Sequence, residues 1–376
     1  MIIESIEIYR VNMPLVYPFR TAFGDTYAIE SVLVKMTGGG RTGWGETSPW
    51  ASPAYSPEWA AGVFSVMRDW LAPRLIGKDI ASGAQLQSEL ALFKGNFFAK
   101  AGLDLAWWDL HAQLLGKPLW QIIGGKSDTI EVGADFGVME TFDLLLKEID
   151  GAVRQGFKRV KLKFRPGWEL DMVKTVRKHF PKAVFHVDCN SAYRLFDSAM
   201  LRQLDQYNLA MIEQPLAHDD LHEHAQLQKL VRTPVCLDES ITSPVKAAQA
   251  IELGACRWIN IKPGRVGGIT NALAINQIAE AAGIPVWIGG MLESSVGGAH
   301  CQALATLANS KYPSDIFPTS RFYAQDLSEP PLDLSGPSVM KLAGGSGIGH
   351  QPHPDRLAKL SLESVVIVGT TTTATT

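Results

Sequence analysis

Five polar residues in the middle of the chain, Lys163, Asp188, Glu213, Asp238 and Lys262, stand 25, 25, 25 and 24 residues apart. An interval of that length holds one strand, one helix and the returns between them, and each of the five closes a short apolar run. The runs are 130–138, 159–164, 183–188, 209–213, 235–238, 258–262, 285–288 and a weaker one at 315–317, with longer helix-like stretches between them. Eight parallel strands in this alternation predict an α/β fold built on a TIM-type barrel. The five residues then sit at one height, at the C-terminal mouth where barrel enzymes place their chemistry. No sequence repeat accompanies the spacing, so the period is architectural.

On either side of the barrel the pattern differs. Residues 2–12 and 30–36 alternate apolar and polar, and Gly38-Gly39-Gly40 turns the chain into Thr42-Gly43-Trp44-Gly45-Glu46, which reads as a small antiparallel sheet. Leu103, Trp107, Leu110 and Leu114 recur at helical spacing as a core-facing stripe, and Gly124-Gly125 ends the segment. From about 320 the chain is rich in Pro, Gly and Ser before a strand-like stretch at 364–368. The expected organisation is therefore an α+β capping domain at 1–125, a barrel at 126–320, and a segment at 321–368 that returns to the capping domain. Residues 369–376, nearly all Thr and Ala, carry no core-forming pattern and are expected to be disordered or vector-derived.

A net charge of -3 with no basic block gives no nucleic-acid surface and no anionic-membrane surface. No apolar run approaches the roughly 18 residues of a membrane span, and the first strand lacks the apolar centre of a secretory signal, so a cytoplasmic location is expected. Cys189, Cys236, Cys256 and Cys301 have no C-x-x-C spacing, which points to reduced, buried thiols.

Asp188, Glu213 and Asp238 on three consecutive strands repel one another unless a cation compensates them. An oxygen-only donor set favours a hard ion, Mg2+ above Mn2+; salt bridging to separate neighbours is the bland alternative for each acid taken singly. On the preceding strand, Lys161 and Lys163 share a face because side chains alternate. Lys262, four strands further round a barrel of eight, faces Lys163 across the mouth. A substrate held by its carboxylate then exposes its α-carbon to a lysine on either side, and a cation stabilises the enediolate formed when the proton leaves. The base has to be partly neutral, a state that burial and nearby cations favour, with Lys161 holding Lys163 in that state or touching the substrate carboxylate.

At these residues the chain resembles the muconate-lactonizing subgroup of the enolase superfamily, and within it the o-succinylbenzoate synthases that overlap with N-succinylamino acid racemases. The resemblance runs nearly the whole chain. It includes Pro18 to Gly24, Gly43-Trp44-Gly45-Glu46, Trp108-Asp109-Leu110, Leu115-Gly116-Lys117-Pro118-Leu119, Lys161-Leu162-Lys163, Asp188-Cys189-Asn190, Ile212-Glu213-Gln214-Pro215, Leu237-Asp238-Glu239-Ser240, Asn260 to Gly268 and Gly289 to Ser294. It implies a (β/α)7β barrel, Asp188, Glu213 and Asp238 as ligands of Mg2+, and Lys163 and Lys262 as the catalytic pair. Asn190 and Glu239 would support the metal, and Arg265 would tune Lys262. Phe19 and Phe23 would lie on a loop closing over the mouth, and Met291, Leu292, Glu293 and Ser294 would meet the distal succinyl group. A homo-oligomer acting on a small carboxylate is expected, within menaquinone biosynthesis if the synthase activity is the physiological one.

Two positions depart from the pattern. Asp135 stands on the first barrel strand where relatives often carry a small hydroxyl residue, and Cys301 stands where an asparagine is common. Both bear on the substrate rather than on the proton chemistry. Dehydration to o-succinylbenzoate is the expected activity, with racemisation of N-succinyl (more broadly N-acyl) amino acids as the close alternative or companion. A dipeptide epimerase fits less well, because Met291-Leu292-Glu293-Ser294 lacks the acids that would catch a peptide amino terminus. A Schiff-base aldolase needs one lysine and no metal.

Overall fold

The computed structural model describes residues 1–21 and 24–369. Strands β1 (Ser5–Thr21), β2 (Gly24–Gly38) and β3 (Arg41–Thr47) form an antiparallel sheet. In β1 the buried positions change phase, from Ile6 and Ile8 to Val11 and Met13. Its pairing with the C-terminal strand Ser361–Val368 shifts register between Arg10 and Val11, so the bulge carries the change of face. Glycine is required in β3, where a Cβ on Gly43 would lie 2.2 Å from the Leu110 nitrogen and one on Gly45 2.4 Å from the Gly102 oxygen. The strand lies directly on the backbone of helix α1 (Phe97–Leu115). Leu103, Trp107 and Leu110 are buried in that contact, but Leu114 is 38% exposed, because the apolar stripe runs out in the last turn before the left-handed Gly116.

The barrel sheet holds seven parallel strands in sequence order: β4 (Ala134–Phe136), β5 (Arg159–Lys163), β6 (Val184–Asp188), β7 (Ile212–Glu213), β8 (Val235–Leu237), β9 (Trp258–Ile261) and β10 (Val286–Ile288). Two expected runs are corrected. The stretch 130–138 divides, since Thr129–Glu131 pairs with Val339–Lys341 outside the barrel and only β4 joins it. The eighth run is no extended strand: single parallel bridges, Val132 with Ser314 and Gly289 with Asp315, link it to its neighbours on both sides.

Register sets the layers. Asp135 lies opposite Lys161, which lies opposite His186; one inward position higher, Lys163 lies opposite Asp188 and Asp188 opposite Glu213. Met211, Cys236 and Trp287 fill the floor beneath. The strand Ser361–Val368, β11, is the outer neighbour of β1, so the capping sheet runs β11, β1, β2, β3. All four cysteines are free and buried. No helix among the described residues is long and apolar enough to cross a membrane.

Candidate active site

The ends of β5 to β9 converge because each strand delivers its last inward residue to the same rim. Lys161 Nζ sits between three carboxylates, 3.0 Å from Asp188 Oδ2, 2.9 Å from Glu213 Oε2 and 3.0 Å from Asp315 Oδ2. Lys163 Nζ donates to Asp188 Oδ2 at 2.7 Å. Across the mouth, Lys262 Nζ donates to Asp238 Oδ2 at 2.9 Å and to the Tyr55 hydroxyl at 3.2 Å. Arg265, from the helical turn after β9, pairs with Asp238 Oδ1 and donates to the Tyr55 hydroxyl at 2.9 Å.

A further layer fixes these groups. Asn190 Nδ2 donates to Asp188 Oδ2 and to Glu239 Oε1, both at 3.3 Å. Glu213 accepts from Asn260 Nδ2 at 2.8 Å and has His186 Nε2 at 3.2 Å. The Gln214 side chain accepts from the Asp238 and Ser240 backbones, tying the ends of two strands together. Asn190, Gln214 and Leu292 adopt positive φ of 44°, 39° and 61° at this rim, the kind of local strain that collects where side chains are aimed at a common point.

The charges explain the protonation states. Burial alone would raise the carboxyl pKa values of Asp188 and Asp238, yet the lysines outweigh it at Asp188, and Arg265 with Lys262 does so at Asp238; both stay below the usual range. Burial would likewise lower the lysines, but Asp188 holds Lys161 and Lys163 above their ordinary value and Asp238 does the same for Lys262. This runs against the expected lowering: direct carboxylate partners dominate over neighbouring cations. Glu239 behaves differently, as do Asp135 and Glu293, whose carboxyls burial also raises. Burial and the nearby Asp238 push Glu239 up to about 8, and its Oε2 is buried without a donor.

Of the residues singled out from sequence, Phe19, Asp135, Lys161, Lys163, Asn190, Lys262, Met291, Leu292 and Glu293 line one cavity of about 70 Å³, together with Cys301. Asp188, Glu213, Asp238, Glu239 and Arg265 stand behind that lining, bonded to it as described. Ser294 is a correction: it is fully buried away from the cavity, donating through its hydroxyl to Glu46 Oε2 at 2.5 Å and capping the helix Ser295–Ala305. Phe23 lies outside the described residues, as does the tail from 370 onward. Sequence reading missed Trp50, Tyr55, Asp315 and Arg321. Only Asp315 carried a signal, at the start of the weak eighth run.

Among the described residues no three His, Cys, Asp or Glu groups form a ready-made metal cluster, because ammonium and guanidinium groups take the carboxylate oxygens. The donor set still suits a hard divalent ion. It is all oxygen, Asp188 and Glu213 are in register, and Asp188 and Asp238 keep their charge despite burial.

Residues 3–124 match the model of the mandelate racemase / muconate lactonizing enzyme N-terminal domain, and residues 145–356 match the enolase C-terminal domain-like model. The N-succinylamino acid racemase of Thermus thermophilus is 42% identical over 349 residues, covering 93% of this chain and 94% of that protein. The o-succinylbenzoate synthase of Geobacillus kaustophilus is also 42% identical, covering 93% of each. A solved enolase superfamily member from Listeria innocua superposes with a TM-score of 0.94 at 35% identity, over 98% of this chain and 99% of that one.

Proposed function

The chain belongs to the enolase superfamily, and on that premise we propose that it is an o-succinylbenzoate synthase whose site also racemises N-succinylamino acids. The observation that carries this is Lys163 and Lys262 lining one cavity from opposite sides, with the acids of the strands between them at the rim. A lysine on each side of an α-carbon serves proton transfer next to a carboxylate.

In the dehydration, Lys163 takes the proton from the carbon bearing the carboxylate of a succinyl-hydroxy-cyclohexadiene acid. The C–H electron pair moves into the carboxylate to give an enediolate. That pair returns to form the ring double bond as the neighbouring hydroxyl leaves, and the proton on Lys163 accompanies it, so water is lost and the ring becomes aromatic. In the racemisation, one lysine removes the α-proton and the other delivers a proton to the opposite face. Lys262, held by Asp238 and Tyr55, is oriented for that second role. Trp50, Tyr55 and Phe322 wall the cavity with aromatic surface and keep water from the reacting carbon.

Asp188, Glu213 and Asp238 would hold Mg2+, or Mn2+ in its place. The ion would supply Lewis-acid stabilisation of the two charges on the enediolate. The same carboxylates pair with Lys161, Lys163 and Lys262, so the would-be ligands and the lysines form one charge network.

The test is an assay of the purified protein with the synthase substrate and with N-succinyl amino acids, with Mg2+ and after EDTA. Turnover of one or both that disappears with EDTA is expected; metal-independent turnover would count against the assignment. By calorimetry, Asp238→Asn should weaken Mg2+ binding by at least about tenfold, as loss of a charged oxygen ligand implies, and unchanged affinity would remove Asp238 from the ligand set.

A further inference from the structure

The cavity holding the two lysines adjoins an outer groove of about 710 Å³ that runs between β1 and the helix Phe142–Arg154. Both spaces are lined by Phe19, Asp135, Phe317 and Phe322, three aromatic rings and one carboxylate at the neck between them. Asp135 is 8% exposed, and its Oδ1 is buried with no hydrogen-bond donor among the described residues. This sets it apart from Asp188 and Asp238, which are each closed off by cations. Its backbone oxygen is held by the Arg321 guanidinium, which fixes the position of the strand. Buried acceptors in folded proteins are satisfied, and Asp135 lines the cavity with its Oδ1 buried and unpartnered, which suits it to a donor brought by whatever enters.

A substrate with its α-carbon at Lys163 and an arm leading toward the groove passes this neck. In an N-acylated amino acid the first atom of that arm is an amide nitrogen, which brings a donor. In the cyclohexadiene substrate the arm begins at a ketone carbon and brings only an acceptor.

We infer that Asp135 is a specificity-determining residue that accepts a hydrogen bond from the amide N–H of the substrate's outward arm, favouring N-acylated amino acids over substrates whose arm lacks an N–H. The inference rests on the function proposed above and fixes the balance between its two reactions. Sites built to pair with an N–H discriminate strongly against analogues without it, because the buried partner is then left unmatched.

The experiment follows exchange of the α-proton for deuterium by NMR, with Mg2+. It compares an N-succinyl amino acid with the ester analogue in which oxygen replaces the N–H. Wild type is expected to favour the amide in kcat/KM by about ten- to a hundredfold. In Asp135→Ala that preference should fall by at least about tenfold, through loss on the amide rather than equal loss on both substrates. Asp135→Asn, which keeps an acceptor oxygen and the side-chain shape, should retain part of the preference and guards against a folding defect in the alanine variant. A preference equal in wild type and both variants would overturn the role of Asp135 while leaving the proton chemistry standing. No exchange with either compound, and no dehydration, in the wild type would overturn the functional reading itself.

Discussion

Lys163→Ala is expected to lower kcat by about 1000-fold or more with both the synthase substrate and the N-succinyl amino acids, the upper range for a positioned acid–base group. Both reactions begin at its face of the α-carbon, and among the described residues the other amine on that side of the cavity is Lys161, which three carboxylates already hold. Lys262→Ala should separate the two activities. Racemisation needs a proton donor on the second face and should disappear, whereas dehydration uses one face and should retain a measurable fraction. The deciding measurement is kcat for each reaction in each variant, with circular dichroism to confirm folding. Retention of either activity in Lys163→Ala would end the assignment of that lysine as the base.

The second large effect concerns stability. Asp315→Ala should destabilise the protein by about 3–5 kcal/mol, the usual cost of removing one partner from a buried ion pair. Arg159 has no exposed surface and its guanidinium lies 2.6 Å from Asp315; Lys161 shares the same carboxylate. Without it, Arg159 keeps the carbonyls of Pro313 and Ala134 and the faces of Trp287 and Tyr312, but no carboxylate partner among the described residues. Urea unfolding would measure the loss. A change under about 1 kcal/mol would mean that those carbonyls suffice and that the pair is a matter of register rather than stability.

Much of the site was legible because strand ends in a barrel share a height, so one numerical interval located Lys163, Asp188, Glu213, Asp238 and Lys262 together. The family resemblance then supplied Asn190, Glu239 and Arg265, all of which bond into the same network. What escaped depends on contacts between distant parts of the chain. Tyr55 lies in a Pro- and Ser-rich loop with no periodic signal, and its place beside Lys262, 207 residues away, follows only from how the capping domain sits on the barrel. Ser294 departs from expectation for a related reason: it closes a motif that adjoins a strand end and faces the cavity, yet itself turns back to cap a helix. The division of 130–138 is set by pairing with Val339–Lys341, a partner that local alternation does not reveal.

The position of β11 beside β1 links synthesis to the order of assembly. During translation the ribosome releases β1 long before its outer neighbour exists, and Ser5 waits for Val368. Most barrel strands pair with the next in sequence, and there the wait falls on the first, just before which Val132 is bridged to Ser314. Nascent chains therefore carry an incomplete cover, with one edge of β1 unpaired and open to wrong partners, until residue 368 emerges.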